Sequence, residues 1–270
     1  MRGTSRASLA AVEERFEPVL TGAGTQAAAI GEQLFAFVDA LDHSGSLRRT
    51  LADPSVPGDP KAGLVAQLLG QADPATVAVA QDLVRSRWSA DGDLADAAER
   101  LGFHALLASA EAAGSLDRVE EELFQLTRAL SGQREVRQAL FDDAVPGAAR
   151  AQLVDRLLAG RADTVTAALA RRAASAPRGR RYVATLGHLA DLIAERRQRS
   201  VATVTTATDL TAAQRTRLAD ILTRAYGRQV QINEVHDPHV LGGLRIQVGP
   251  NVVDATVLAR LADARRQLAS

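Results

Sequence analysis

Residues 236–269 read HDPHVLGGLRIQVGPNVVDATVLARLADARRQLA, and this stretch decides the fold of the end of the chain. Within it, residues 244–248 alternate strictly between apolar and polar side chains, which predicts a half-buried strand. Residues 249–251 have the composition of a turn, and residues 252–253 can return as a short second strand. The apolar positions of the first strand are predicted core residues, namely Leu244, Ile246 and Val248.

Two glycines and one acidic residue flank these strands. Gly242 and Gly243 stand directly before the first strand, where we expect a tight backbone path that other residues resist. Asp254 follows the second strand and can cap a helix over residues 255–268, whose leucines fall on one face. We therefore predict structural roles for these three residues.

Residues 200–270 predict a small α+β domain. Residues 201–206 are β-branched and predict a strand. Thr211 and Gln214 form a capping box that opens a helix over residues 211–226, and residues 229–233 alternate like a second strand. The helix is expected to pack through Leu218, Ile221, Leu222 and Ala225. The open face of the sheet, left for solvent or a partner, is expected to carry Gln229, Gln231, Asn233, Arg245 and Gln247.

The preceding part of the chain carries helical periodicity almost throughout. Two apolar stripes recur every three or four residues: Leu34, Phe37, Val38 and Leu41 form one, and Val119, Leu123, Leu126 and Leu130 form the other. Aromatic residues make up only 3% of the chain, so small aliphatic residues must fill the core. The predicted fold is thus mainly α, an N-terminal helical bundle region followed by the small α+β domain.

The helical region also contains an internal repeat. A shift of 89 residues lays Val56-Pro57-Gly58 on Val145-Pro146-Gly147 without a gap, and the apolar residues that follow keep the same register. We therefore expect a duplicated helical module, and predict three domains: a helical extension over 1–105 as one copy, a helical bundle over 106–199, and the α+β domain over 200–270. The alternative is chance similarity between two alanine- and leucine-rich helical hairpins.

Composition excludes several classes of protein. Lys and Arg total 32 and Asp and Glu total 32, so the chain lacks the overall positive charge of a nucleic-acid binder. There is no cysteine, which excludes disulfides and thiolate metal sites. No apolar run reaches the roughly 18–20 residues that a membrane span requires. We expect a cytoplasmic protein with no direct membrane insertion.

Motifs for catalysis and cofactors are also missing. Lys61, the only lysine, does not follow the glycine-rich pattern of a phosphate-binding loop. His236 and His239 flank Asp237-Pro238, but the proline favours an extended turn and no third ligand is spaced to complete a metal site. No Gly-x-Ser-x-Gly motif occurs. We therefore predict no catalytic residue, no cofactor and no metal.

A basic region remains unexplained. Eight arginines lie between Arg171 and Arg199, where Tyr182 is the only aromatic residue. A solvated helix and loop surface is the first interpretation, and contact with an acidic protein partner is the second. Nucleic acid is less favoured, because base stacking requires more aromatic side chains.

The run Leu241-Gly-Gly-Leu-x-Ile-x-Val-Gly, with Val253-Asp254 downstream, resembles the C-terminal signature of the ATP synthase delta subunit family, which includes the mitochondrial oligomycin-sensitivity-conferring protein. Residues 98–116 look like the opening helix of that family. The resemblance covers roughly residues 95–270, and the additional N-terminal part resembles the extended delta chains of actinobacteria.

The resemblance implies a non-catalytic stator subunit on the cytoplasmic face of the membrane. Its helical domain would bind amino-terminal segments of the alpha subunits of the catalytic head, and its C-terminal domain would hold the b-type subunits of the peripheral stalk. The groove for the alpha segment is expected between two helices, at Leu101, Ala105, Ala108, Val165 and Leu169. The alternatives are an unrelated helical adaptor and, less favoured, an enzyme.

Overall fold

A computed structural model describes residues 1–142, 144–199, 201–226, 230–238, 240, 242–248 and 251–256. The chain divides into two compact units, a helical unit over Met1–Ile193 and a C-terminal unit over Ala194–Ser270. Each unit has its own hydrophobic clusters. The predicted class, mainly α followed by a small α+β domain, is confirmed.

Helices occupy most of the chain up to residue 199. Their bounds in chain order are α1 Gly3–Ala23, α2 Ala27–His43, α3 Gly45–Ala52, α4 Gly58–Leu68, α5 Pro74–Arg85, α6 Asp91–Ala112, α7 Leu116–Ser131, α8 Arg134–Ala139, α9 Gly147–Leu158, α10 Thr164–Ser175 and α11 Tyr182–Arg199. We call α1–α6 the first set and α6–α11 the second set, because each group surrounds one hydrophobic cluster.

Helix α6 belongs to both sets. Its residues Leu101 and Ala105 pack in the cluster of the first set, whereas Phe103 and Leu107 pack in the cluster of the second. A helix with buried apolar residues on more than one side is suited to such a central position. The predicted boundary between residues 105 and 106 falls inside this helix, and the division of the helical region into two domains stays a prediction.

The helix positions agree with the predicted repeat. The starts of α2, α3 and α4 recur 89 residues later as the starts of α7, α8 and α9, while α5 and α6 recur as α10 and α11 after 90 and 91 residues. Both predicted apolar stripes are buried, and three positions of each coincide under the shift: Leu34 with Leu123, Phe37 with Leu126, and Leu41 with Leu130. The same order of helices thus occurs twice.

Individual contacts recur as well. The Lys61 ammonium donates to the carbonyl of Asp53 (3.1 Å), and 89 residues later the Arg150 guanidinium donates to the carbonyl of Asp142 (3.3 Å). The only lysine is therefore a buried structural residue whose pKa is lowered by burial. Asp73 and Asp163 cap α5 and α10, accepting from the backbone N–H two residues ahead. The backbone N–H of Asp73 donates to the side chain of Gln33 on α2, and that of Asp163 donates to the side chain of Glu122 on α7.

The C-terminal unit contains a four-stranded sheet and the helix α12 (Ala212–Tyr226). The strands are β1 Val201–Thr206, β2 Gln231–His236, β3 Leu244–Val248 and β4 Asn251–Asp254, in the spatial order β2-β1-β3-β4. β1 pairs in parallel with β2 and antiparallel with β3, and β3 pairs antiparallel with β4. β2 begins two residues after the start that the alternation predicted.

The core of this unit lies on one face of the sheet. Ala202, Val204, Leu222, Ile246 and Val248 are buried together, as the alternation of side chains along a strand requires. The predicted capping box is present, since the Thr211 N–H donates to Gln214 Oε1 and the Gln214 N–H to Thr211 Oγ1.

The predicted face of α12 is only partly correct. Leu218 and Leu222 pack against the core, whereas Ile221 is 45% exposed and Ala225 is exposed. The second predicted helix, over 255–268, lies outside the described residues except for its first two positions.

Candidate functional site

The five residues that we predicted to line a groove are all buried. Leu101, Ala105 and Ala108 of α6 pack in the cluster of the first set, and Val165 and Leu169 of α10 pack in that of the second. None of them is more than 6% exposed. The N-terminal extension accounts for part of this burial, because α6 packs against helices that precede it as well as helices that follow it. These residues therefore present no surface to a partner in this structure.

Helix α2 makes the main contact between the two sets. A Cβ added at Gly31 of α2 would lie 2.8 Å from the carbonyl oxygen of Gly102, so only a glycine permits the close approach of α2 and α6 at this point. Phe35 packs edge-on against Phe103 of α6, with the ring centroids 5.1 Å apart. The Arg172 guanidinium of α10 also lies over the Phe35 ring, 4.6 Å from its centroid.

Charged residues from the two sets meet beside this aromatic contact. Arg172 donates to Asp39 of α2 (2.7 Å), and Arg178 donates to Asp42 of α2 (2.8 Å). Arg178 also lies 2.9 Å from Asp96 and 3.3 Å from Glu99 of α6, and Arg180 pairs with the same Glu99. We call these residues the arginine clasp: Arg172, Arg178 and Arg180 with Asp39, Asp42, Asp96 and Glu99.

Three of the seven clasp residues are withdrawn from water, and the other four are partly exposed. The side chain of Glu99 is 2% exposed, that of Arg172 is 8% and that of Arg178 is 13%. Burial lowers the pKa of Arg178, but Glu99, Asp42 and Asp96 raise it more, so the net pKa of Arg178 is raised and its charge is secure. Charges this well enclosed depend on their partners, because a buried charge without a counterion is strongly destabilising.

The clasp explains part of the basic region between residues 171 and 199. Contact with an acidic partner was our second interpretation, and for three of its arginines the acidic partners are carboxylates of α2 and of the shared helix α6 in the same chain. The local sequence carries no signal for this pairing, because Asp39 and Arg172 are separated by 133 residues. The repeat offered an indirect signal, since two copies of a module on one chain need an interface.

A second polar cluster ties α1 to α6. Glu13 of α1 accepts from Arg100 Nε (2.6 Å) and lies 3.3 Å from His104 Nε2. Burial raises the pKa of Glu13, but its interactions with His104 and Arg100 outweigh that effect and lower the pKa to about 2. The carboxylate is therefore charged at neutral pH and helps to hold the first helix in place.

In the C-terminal unit, the two glycines have the backbone conformation that we predicted. Gly242 and Gly243 have φ angles of 73° and 80°, a region that other residues rarely adopt. A Cβ at Gly243 would also collide with the carbonyl oxygen of Ala255. Asp254 Oδ1 accepts from both the backbone N–H (3.0 Å) and the hydroxyl (2.7 Å) of Thr256, and these hydrogen bonds lower its pKa.

The described side chains on the other face of the sheet are mostly exposed. Gln231 and Asn233 of β2 and Arg245 and Gln247 of β3 are exposed, as predicted, while Gln229 lies outside the described residues. Val235 on the same face is 41% exposed. Among its described residues, the face is polar with isolated aliphatic side chains and has no concentration of charge of one sign.

Within the part of the chain that the structure describes, no three His, Cys, Asp or Glu side chains are grouped to hold a metal ion. His239 is not among the described residues, so the expectation that His236 and His239 hold no metal stays a prediction. The described helices include none that is both long and apolar enough to cross a membrane.

The described architecture is thus two repeated sets of helices, joined by ion pairs and followed by a small α+β unit with an exposed sheet face. Residues 104–268 match the family model described as ATP synthase delta (OSCP) subunit. The chain belongs to this family, and its role is that of a peripheral-stalk subunit of ATP synthase.

Relatives extend the similarity to the whole chain. The chain is 53% identical to ATP synthase subunit delta of Beutenbergia cavernae over 270 residues, covering 100% of both chains. It is 45% identical to the same subunit of Kineococcus radiotolerans, covering 99% of this chain and 97% of that one, and 42% identical to that of Thermobifida fusca, covering 100% of both. The N-terminal extension is therefore shared by these relatives. A chain in a mitochondrial ATP synthase structure from Toxoplasma gondii aligns with 62% of this chain and 95% of its own length, at 20% identity and a TM-score of 0.32.

Proposed function

We propose that this chain links the catalytic head of the synthase to its peripheral stalk, at the cytoplasmic face of the membrane and without catalytic activity of its own. The observation that carries the proposal is that the family match spans both the second set and the C-terminal unit, which have separate hydrophobic clusters. Two contacts on one chain reinforce each other through effective concentration, even when each is weak alone. Such a link resists rotation of the head while the rotor turns, so proton flow stays coupled to ATP synthesis.

The two ends of the link have different partners in this proposal. The helical unit binds amino-terminal segments of the alpha subunits, and the C-terminal unit binds b-type stalk subunits. The support for this division is the resemblance to the family, together with the open polar face of the sheet. Purification of the membrane complex followed by mass spectrometry tests the assembly as a whole, and absence of this chain from a complex that retains head and stalk subunits would contradict it.

We place the alpha-subunit contact on the face formed by α1 and α5. The residues first predicted to line a groove between α6 and α10 are buried in this structure, so we propose an exposed face instead. Arg172 of α10 contributes to the contact with the first set, and the corresponding residue of α5, 90 positions earlier, is Asp82. Ala78 lies one helical turn before Asp82, on the same side of α5. Ala78 is exposed, and Asp82 pairs with Arg15 of α1 (2.7 Å). The face of α5 beside α1 is therefore exposed, whereas the equivalent face of α10 packs against the first set.

Ala78→Trp tests this location, because a large side chain on a contact face obstructs a docked helix. We expect a peptide from the amino terminus of the alpha subunit to bind at least about tenfold more weakly, equivalent to about 1.4 kcal/mol. Ala129→Trp is the matched control, since Ala129 is also an exposed alanine on a helix but lies on α7. Equal affinity of both variants and the parent in calorimetry would move the alpha contact to another face.

Removal of residues from His236 onward tests the stalk contact. This truncation deletes β3 and β4, and hence Ile246 and Val248 of the C-terminal core, but leaves the helical unit intact. We expect the truncated chain to lose a b-type subunit in a pull-down while it still binds the head. Retention of the b-type subunit by the truncated chain would show that the C-terminal unit is not the stalk anchor.

A further inference from the structure

Helices α2 and α7 occupy equivalent positions in their sets, yet only α2 is covered on two sides. Leu34, Phe37 and Leu41 of α2 face the first cluster, and Leu123, Leu126 and Leu130 of α7 face the second at the same spacing. On the neighbouring side of each helix, Phe35 is 6% exposed and its equivalent 89 residues later, Phe124, is 61% exposed. The second covered side of α2 is therefore an additional interface, because the helical set forms around α7 without it.

The charges on the two helices differ in the same way. Asp39 and Asp42, which accept from Arg172 and Arg178, correspond to Arg128 and Ser131 on α7. A guanidinium that is attracted to the side of α2 would be repelled or left without a counterion at the same place on α7. The acidic residues of α2 are thus specific to the contact between the sets and are not a general feature of the repeated helix.

We infer that the first set is a built-in partner of the second: α2 occupies the face formed by α6 and α10, and the arginine clasp holds it there, so that the two sets move as one body and that face is closed to other helices. The inference rests on the packing of Phe35 beneath Arg172 and on the four carboxylates that surround the three arginines. It does not depend on which subunits the chain binds. Loss of the arginines leaves Glu99 buried without its counterions, which favours separation of α2 from α10.

The distance between the two sets can be measured directly with spin labels. Because the sequence contains no cysteine, two introduced cysteines are the only residues that the label modifies. Gln67 of α4 and Arg156 of α9 are exposed residues on opposite sets and are suitable labelling positions. In the full-length parent, pulsed electron resonance should give one narrow distance population. The double variant Arg178→Ala/Arg180→Ala should add a second population and accelerate hydrogen exchange in α10.

Two variants serve as controls. Arg15→Ala removes an ion pair of similar geometry that stays within the first set, and it should leave the distance population unchanged. Arg178→Lys/Arg180→Lys retains the charges and should also keep the narrow population. Fluorescence of Trp88, which is buried in the first set, verifies that each variant is folded. A folded double-alanine variant with the parental distance population and parental exchange in α10 would overturn the inference, as would equal broadening by Arg15→Ala.

Discussion

Truncation of Ile246 tests whether the C-terminal unit has an independent core. Ile246 is 9% exposed, in the middle of β3, and it faces Val204 of β1 and Val253 of β4 across the sheet. Ile246→Ala removes three carbon atoms at about 0.8 kcal/mol each, and the cavity term adds to this, so we expect a loss of about 3 kcal/mol. The described buried cluster is small, which makes a loss of this size large for the unit.

The stability of each unit is measured with its own probe. Trp88 is the only tryptophan, and its indole N–H donates to the Leu83 carbonyl (2.8 Å) within the helical unit. Its fluorescence in urea therefore reports on the helical unit, while hydrogen exchange in β1 and β3 reports on the C-terminal unit. We expect Ile246→Ala to accelerate exchange in the sheet and leave the Trp88 midpoint unchanged.

A matched control is Val235→Ala on β2, where the side chain is 41% exposed and the expected loss is below about 1 kcal/mol. If Ile246→Ala costs no more than this control, Ile246 does not lie in a packed core. If Ile246→Ala lowers the free energy of unfolding reported by Trp88 by as much as that reported by exchange in the sheet, the two units unfold together. The argument for separate cores then fails.

Three further outcomes are expected. Gly243→Ala should destabilise the C-terminal unit by about 1–3 kcal/mol, measured by hydrogen exchange, because φ is +80° and the added Cβ meets the Ala255 carbonyl. The pKa of Glu13 is lowered from 4.5 to about 2, so its contribution to stability is complete above about pH 4.5 and is lost as the pH falls towards 2. Glu13→Gln should therefore flatten the decline of the urea midpoint between these pH values, and an unchanged decline would contradict the assignment. The purified chain should show no ATP binding in calorimetry, and a micromolar affinity would contradict a purely structural role.

Local patterns in the sequence determined much of the fold. The alternation at Leu244, Ile246 and Val248 identified a strand and its buried side, because side chains of a strand point to opposite faces in turn. The capping box at Thr211 and Gln214 identified the start of α12, since both partners lie within one turn of helix. These features involve neighbours in sequence, where spacing translates directly into geometry. The register of 89 residues likewise follows from the sequence and agrees with the order of the helices.

Only the tertiary structure decided how the helices are shared and what the arginines contact. Small residues in α6 predicted close helix packing, but they could not indicate whether an external segment or the chain's own helices fill the space. The partners in the arginine clasp are 79 to 136 residues apart, so no local period links them. Phe35 and Phe124 occupy equivalent positions in the repeat, yet Phe35 is covered and Phe124 is exposed. Burial at such positions depends on which surface the rest of the chain brings against the helix, and that is a property of the folded molecule.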